Sequence, residues 1–495
     1  MSKTKEPGMI SDLRQRPYSA VLLLLGILAV LPACGMNKGP RSYSELEFPS
    51  SVDWPETRIE TFSLDNGVRF FLVEDHELPL VKVTVSIRSG EFVVPEGQEG
   101  LAELAARVMR NGGSEQWPAE ELDTLLEDRA AQLSISMGFD SGQAGLNVLS
   151  KDFEQLLPVF VDVLHSPAFP LDKTALAKKQ MMTDIARRND SQDEVGFREF
   201  KRLLYGPDTI YGRLKEFSTV SGLTTQDLRR FHERSFQGHN LMVGIAGDIE
   251  PDEIRPVLKR LFAVFEPGRQ TVMDFPQVDR PERTNWAFIH KSDVNQTMIL
   301  LGHEGGFRDN PDYPALQVMN TILSGGFSSR LFQHIRTRKG LAYSVFGNYG
   351  SKAFYPGMFF VGAKTKSART LEAVNAIKQE LAQLQREGVG REELDQARDQ
   401  ILNSLVFRYD RPEEVLGRRL HYEYREMDPE SFEELVQGIK EATPDDIQRV
   451  ARSSIDLDRL QVLLVGNRDQ LQDQLRTIDE LQEIDIALEA PPGGS

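Results

Sequence analysis

One cysteine in 495 residues excludes a disulfide framework and any cysteine-rich zinc or iron–sulfur site. Basic residues are also in deficit. The 58 Lys and Arg face 75 Asp and Glu, a formal charge of −17, whereas proteins that grip a phosphate backbone present basic surfaces. No nucleic acid is therefore expected as a partner. Histidine is scarce: the eight lie at 76, 165, 232, 239, 290, 303, 334 and 421, and no two are three or four apart. A helical His pair able to grip a metal is thus missing, and His232 with His239, seven apart, read as packing or surface residues. Long apolar runs are lacking too. The 11 residues Ala20–Val30 are too few to span a bilayer, which takes ~20, and no other stretch is long and apolar enough. What is present is ordinary globular material: 40% hydrophobic residues in a length that suits two to four domains.

The lone cysteine marks an address. Lys3, Lys5, Arg14 and Arg16 give a basic start, the apolar run follows, and Leu31-Pro32-Ala33-Cys34 closes it. This is the layout of an export signal. Its ending resembles a bacterial lipobox, which implies cleavage before Cys34 and lipidation of the thiol; an ordinary signal peptide is the alternative. Processing removes residues 1–33 with their net +2, leaving 462 residues of charge −19, anchored to the membrane through acyl chains. Gly35, not Asp, follows the cysteine. By resemblance to Gram-negative lipoproteins this favours the outer membrane, facing the periplasm. Residues 34–55, rich in Pro and Ser, read as a tether.

The remainder repeats itself. Thr224, Asp227 and Arg230 recur 219 residues later as Thr443, Asp446 and Arg449, and the strand Leu241–Ile245 recurs at Leu460 onward. Earlier in each half the offset is 213: Ala102 pairs with Ala315, Gly112-Gly113 with Gly325-Gly326, and the alternating strand around Val85 and Ile87 with Met298 and Leu300. Two blocks in the same order indicate duplication. Each half opens with strands, at Gly67–Val73 and Leu80–Ser89, then at Asn285–Lys291 and Gln296–Leu301. Helices follow, and a last strand closes the half. The expected fold is α+β, two duplicated α/β sandwiches. The domains read as 56–266 and 284–475, with a linker at 267–283 and a tail at 476–495. Leu80–Ser89 is a candidate edge for pairing with an extended peptide. His303-Glu304 reads as part of a structural, glycine-rich loop.

Leu101, Leu104, Ala105 and Val108 lie at i, i+3, i+4 and i+7, an amphipathic helix closed by Gly112-Gly113. The segment Gly100–Gly113 resembles the zinc helix of the insulinase-type peptidases, family M16, which include mitochondrial processing peptidase and pitrilysin. The resemblance spans about residues 58–475. In active members the helix carries H-x-x-E-H: two His hold zinc and the Glu activates water. Here Glu103 stands at the first His, Ala106 at the Glu and Arg107 at the second His. The third ligand, a Glu, should fall near Thr183-Asp184 within 178–188, and no Glu is there. The resemblance therefore implies no metal in this chain. Glu103 four residues before Arg107 suits a helical ion pair, one that fills the vacant metal cleft or lies solvated on the surface.

The second half carries Ser329-Arg-Leu-Phe-Gln-His-Ile-Arg336-Thr-Arg-Lys-Gly340-Leu-Ala-Tyr343-Ser. Ser328 or Ser329 is a candidate helix cap, Phe327, Leu331 and Ile335 share one helical face, and Leu341–Phe346 reads as a strand. The stretch resembles the family's S-R-L-F-x-x-I-R-x-x-x-G-L-A-Y-S segment almost residue for residue. In active relatives its Arg and Tyr reach the zinc half. The resemblance implies that Arg336 and Tyr343 orient a peptide carbonyl and stabilise its oxyanion, acting in trans. It implies a clamshell in which a zinc-bearing M16 homologue supplies hydrolysis and this chain helps hold the peptide substrate. Alternatives are a scaffold or binding lipoprotein with no proteolytic role, or an active metalloendopeptidase with an unorthodox site. A structural role for the pair would have Arg336 paired to an acid and Tyr343 packed between sheet and helix.

Overall fold

The computed structural model describes residues 57–490, all within one compact unit. The signal segment, Cys34 and the tether lie outside the described residues. Alternating hydrophobic residues build the strands. In β3 (Leu80–Ile87), Val81, Val83, Val85 and Ile87 are buried while their neighbours face outward or lie half-covered. Its sheet also contains β1 (Glu60–Ser63), β2 (Arg69–Glu74), β4 (Gln132–Met137), β5 (Gly142–Leu149) and β6 (Leu241–Gly247), in the order β1-β2-β6-β3-β5-β4. The second half repeats the plan with β7 (Asn285–His290), β8 (Gln296–Glu304), β10 (Ser344–Tyr349), β12 (Met358–Lys366), β13 (Gln461–Gly466) and β14 (Leu481–Glu483). Their order is β10-β12-β8-β13-β7-β14. The short β9 (Gly306–Phe307) and β11 (Ser351–Lys352) pair separately.

Five of the six positions correspond between the two sheets, each with the same sense of pairing. β2 and β6 run parallel, as do β7 and β13; β3 and β8 run antiparallel to β6 and β13. The duplication extends to side chains. Thr224 with Asp227, and Thr443 with Asp446, make the same reciprocal cap, and Arg230 and Arg449 pair with the two aspartates.

One face of each sheet is covered by its own helices. In the first half these include α1 (Leu101–Gly112), against which α2 (Leu171–Arg187) packs. Leu101, Leu104, Ala105 and Val108 of α1 are all buried, as their spacing requires. The other face is covered by a helix from the opposite half. From the first half, α3 (Gln192–Tyr205) lays Val195, Phe200 and Leu204 on Ile289, Met298, Leu300, Leu463 and Val465. In the second half, α4 (Thr370–Glu387) lies on its own sheet, while α5 (Pro412–Tyr424) sets Leu416, Leu420 and Tyr424 on Phe71, Val73, Met242 and Ala246. Gly244 in β6 permits this approach, because a Cβ there would collide with Leu420. The halves thus share cores rather than abut.

Three expectations are corrected. The strand Leu80–Ser89 is no edge: β3 is bonded to β5 and β6 on its two sides, and the sheet ends at β4 and β1. His303 and Glu304 lie buried in β8, which continues past Leu301 because the partner strand β12 runs on to pair with both. Phe327 leaves the face assigned to it. It is 77% exposed, whereas Leu331 and Ile335 are buried, since Gly325-Gly326 break the helical path before it. The linker segment is ordered against the fold. Phe275 packs among Phe92, Phe139 and Tyr355, and Tyr211 donates its hydroxyl to the Pro276 carbonyl. Beyond residue 475 the chain adds β14 and then crosses back, where Asn189 donates to the Ile486 carbonyl.

Candidate functional site

Helix α1 begins at Gly100, whose φ of 95° is left-handed and favours glycine. The Glu91 carboxylate accepts the Gly100 N–H at 2.5 Å and so supplies the side-chain cap that glycine lacks. Burial pushes this carboxyl up to about 7 against the pull of the Gly100 and Ala102 amides, and the charge of Glu103 adds to the rise. Gly113, at φ 69°, ends the helix.

Along α1, Glu103 and Arg107 project one turn apart beside the buried Ala106. Arg107 Nη2 donates to Glu103 Oε1 at 2.6 Å and to Asp184 Oδ2 of α2 at 2.9 Å. Lys215 Nζ closes the cluster on Glu103 Oε2 at 2.5 Å. Partial burial opposes the Arg107 charge, but Glu103 and Asp184 outweigh it and hold the guanidinium more firmly protonated than a free one. The three expected positions on α1 and α2 are therefore brought together, and the ion pair is part of a partly exposed network across two helices.

Zinc does not fit this donor set. Its ligands must offer lone pairs, and Arg107 offers only N–H donors on a permanent cation between the two carboxylates. Ala106 has no group to take a proton from water. The remaining carboxylates, Glu103 and Asp184, are already neutralised by Arg107 and Lys215. Lys215 had no local sequence signal: it lies 112 residues from Glu103 and meets it only through the fold.

The second-half segment forms a π-helix, Phe332–Arg338, rather than the expected α-helix. Ser329 donates to the Gly326 carbonyl and caps nothing. The strand begins at Ser344, three residues later than expected, and Leu341 and Ala342 are buried ahead of it. π-Turns carry one residue more than an α-turn and concentrate at functional sites. Two ties fix this one. His334 Nδ1 meets the buried Glu380 of α4 at 2.5 Å, and Arg330 forms a two-pronged bond to Glu393. Neither tie was legible locally.

Arg336 and Tyr343 emerge from this support. The Arg336 guanidinium stands 4.7 Å over the Phe332 ring, and among the described residues it forms no ion pair. Tyr343 is 51% exposed, and its hydroxyl has no hydrogen bond among the described residues. The structural alternative asked for an acidic partner to Arg336 and for a packed Tyr343, and neither holds. Both groups are free donors, suited to a carbonyl or oxyanion presented from outside the chain.

Residues 69–207 match the family model described as insulinase (peptidase family M16), and residues 222–401 match that described as the peptidase M16 inactive domain. An "uncharacterized zinc protease" of Rickettsia bellii is 26% identical over 77% of this chain and 91% of its own length. The "non-peptidase homolog YmxG" of Helicobacter pylori is 23% identical over 80% of this chain and 91% of its own. Among solved structures, a peptidase M16 inactive domain from Pseudomonas fluorescens superposes with a TM-score of 0.75 at 21% identity. It covers 83% of this chain and 98% of that one.

Proposed function

The chain belongs to the insulinase-type M16 peptidase family, and from that premise we propose that it is the zinc-less member of a two-chain peptidase. Non-catalytic by itself, it holds the peptide substrate and completes the active site of a zinc-bearing homologous partner, the two forming a clamshell. One contrast carries the reading. The three metal-site positions are closed by the Glu103–Arg107–Asp184 network, while Arg336 and Tyr343 are left exposed and, among the described residues, their side chains have no polar partner. A guanidinium and a phenol held on a braced π-turn can donate to the carbonyl oxygen of a peptide and to the oxyanion that replaces it. Hydrolysis, and the zinc it needs, belong to the partner.

Cys34 is the proposed lipid attachment point and would tether the pair to the outer membrane on its periplasmic side. No helix among the described residues is long and apolar enough to cross a membrane. Cys34→Ala is expected to move the chain from the membrane to the soluble periplasmic fraction; unchanged fractionation would refute the anchor.

The functional test is co-expression with a zinc-bearing M16 homologue from the same genome, followed by a peptide-cleavage assay. Arg336→Ala and Tyr343→Phe should each cut kcat/KM by about 10²-fold, as loss of an oxyanion donor does, with assembly intact by size-exclusion chromatography. Full turnover in both variants would leave this chain as a scaffold. The scaffold reading draws on one observation: Phe327, 77% exposed, packs edge-on against the ring under Arg336, an aromatic surface that could serve a permanent protein contact.

A further inference from the structure

A chain of charge −17 gathers, among its described residues, four cations without a carboxylate partner in one cavity. The cavity has a volume of about 510 Å³ and lies where the two halves meet. Lys201 comes from the C-terminal end of α3 in the first half. Arg308 follows β9, Lys352 lies in β11, and Arg425 follows α5, all in the second half. Other largely covered arginines, Arg88, Arg198 and Arg330, pair with Glu426, Glu199 and Glu393. Among the described residues, none of the four cations forms an ion pair with a carboxylate. Arg308 stands 3.9 Å from the Tyr313 ring centre, donates to the Tyr313 hydroxyl and reaches the Tyr422 hydroxyl at 3.5 Å. Lys201 stands 5.0 Å from the Phe139 ring centre, and Arg425 lies 5.9 Å from that of Tyr424. Glu426, next to Arg425 in the chain, pairs with Arg88 instead.

We propose that this cavity binds a small, multiply charged oxyanion, a phosphate ester or a polycarboxylate. Two guanidinium forks and two ammonium groups around one space are the donor set that such anions require. The volume falls in the range of small-molecule sites. Tyr355, Met358 and Phe360 add an apolar wall for the ligand's body. The walls come from four separate segments around a half-open space of limited volume, which favours a compact anion over an extended acidic peptide. The unliganded site also stores repulsion. Burial first, and then Lys352, lowers the Lys201 ammonium below its ordinary value. Desolvation, and then the charges of Arg425, Arg308 and Lys352, bring His421 beside them down to about 4. An oxyanion would relieve these terms and, since Lys201 belongs to one half and the rest to the other, would fasten the halves together. The inference does not depend on the peptidase reading.

The test uses the full chain in detergent at fixed ionic strength. Sodium tripolyphosphate and citrate are titrated by calorimetry and followed by thermal unfolding, with acetate and an acidic hexapeptide as comparisons. Saturable one-site binding of tripolyphosphate or citrate is expected, with a rise in Tm; the tighter of the two identifies a phosphate or a carboxylate source. Lys201→Gln and Arg425→Gln should each weaken binding at least ~10-fold, Lys201→Arg should keep it, and Lys259→Gln on the exposed face of a distant helix should not alter it. Unliganded Lys201→Gln should melt at or above the wild-type temperature, because it removes one of the four clustered cations. The proposal fails if neither small anion binds saturably, if only the acidic peptide binds, or if the Lys201 and Arg425 variants bind as tightly as the wild type.

Discussion

The Arg107 guanidinium donates to Asp184 Oδ2 at 2.9 Å, and so ties α1 to α2 at the two places where active relatives are expected to hold a metal. A cation of the protein's own occupies the space between carboxylates. Removing it, in Arg107→Ala, leaves Glu103 and Asp184 facing each other with Lys215 alone to offset them. The groups are a third to a half exposed, so the expected loss is ~1 kcal/mol, read by urea unfolding. Zinc retention after passage over a chelating resin should stay substoichiometric in the wild type and in Arg107→His alone. E103H with R107H creates a His pair at i and i+4, and together with D184E should retain about one zinc per chain by elemental analysis. Stoichiometric zinc in the wild type would overturn the reading of this site.

The α1 cap makes stability depend on pH in an unusual sense. Glu91 has its carboxyl raised to about 7 in the folded chain, mainly by burial, against about 4.3 when unfolded. Between those values the folded state binds more protons than the unfolded one, so stability falls as pH rises from about 4.5 to about 7. The cost is complete above that window and absent below it, with an upper bound of ~4 kcal/mol. Glu91→Gln keeps an acceptor for Gly100 and abolishes the titration. It should unfold at a higher temperature than the wild type at pH 8 and at nearly the same temperature at pH 4.5. Parallel pH profiles for the two proteins would contradict this assignment.

Much of this was legible in the sequence because it was written in local periodicity or in a repeat. The 219-residue offset located matching caps at Thr224 and Thr443, and the two-residue alternation placed β3 within two residues of its ends. The spacing of Leu101 to Val108 fixed which face of α1 is buried. What was not legible depends on partners far along the chain. Whether Leu80–Ile87 is an edge is decided by β5 and β6, and β6 joins it from 160 residues away. Lys215 reaches Glu103, and Glu380 reaches His334, only once helices have docked. The exchange of α3 and α5 between halves leaves no local mark, since an amphipathic helix does not say which sheet it will cover.

The π-turn under Arg336 rests on a buried charge. Glu380 is 5% exposed at its side chain, and His334 is the partner that approaches it, at 2.5 Å. Deleting the histidine should therefore cost more than deleting the pair. His334→Ala strands a buried carboxylate and is expected to destabilise by about 3 kcal/mol, whereas His334→Ala with Glu380→Leu should recover much of that. In the proposed two-chain peptidase, turnover should fall in His334→Ala even where the protein remains folded, because the ring braces the turn that carries Arg336. A double-mutant cycle read by both unfolding and cleavage checks the point; additive losses would show that the two residues act separately.

Neither half should fold alone, although each has a complete sheet. The far face of the first sheet, with Phe71, Val73, Met242 and Ala246, is covered by Leu416, Leu420 and Tyr424 of α5. The far face of the second is covered by α3. Cutting the chain in the linker strips both faces at once, and exposed apolar surface of that kind drives aggregation or dye binding. Arg88 adds a polar lock. Its buried side chain bonds the Thr271 and Tyr424 carbonyls and pairs with Glu426 at 2.6 Å, so the end of β3, the linker and the end of α5 meet on one guanidinium. Residues 57–266 expressed by themselves should be insoluble or bind a hydrophobic dye without a cooperative melt, and co-expression with residues 284–490 should restore a folded complex. In the intact chain, Leu420→Ala should cost ~2–4 kcal/mol and shift one cooperative transition rather than split it. A well-folded, monomeric 57–266 fragment, or two separate transitions in Leu420→Ala, would mean that the helix exchange is not what holds the halves together.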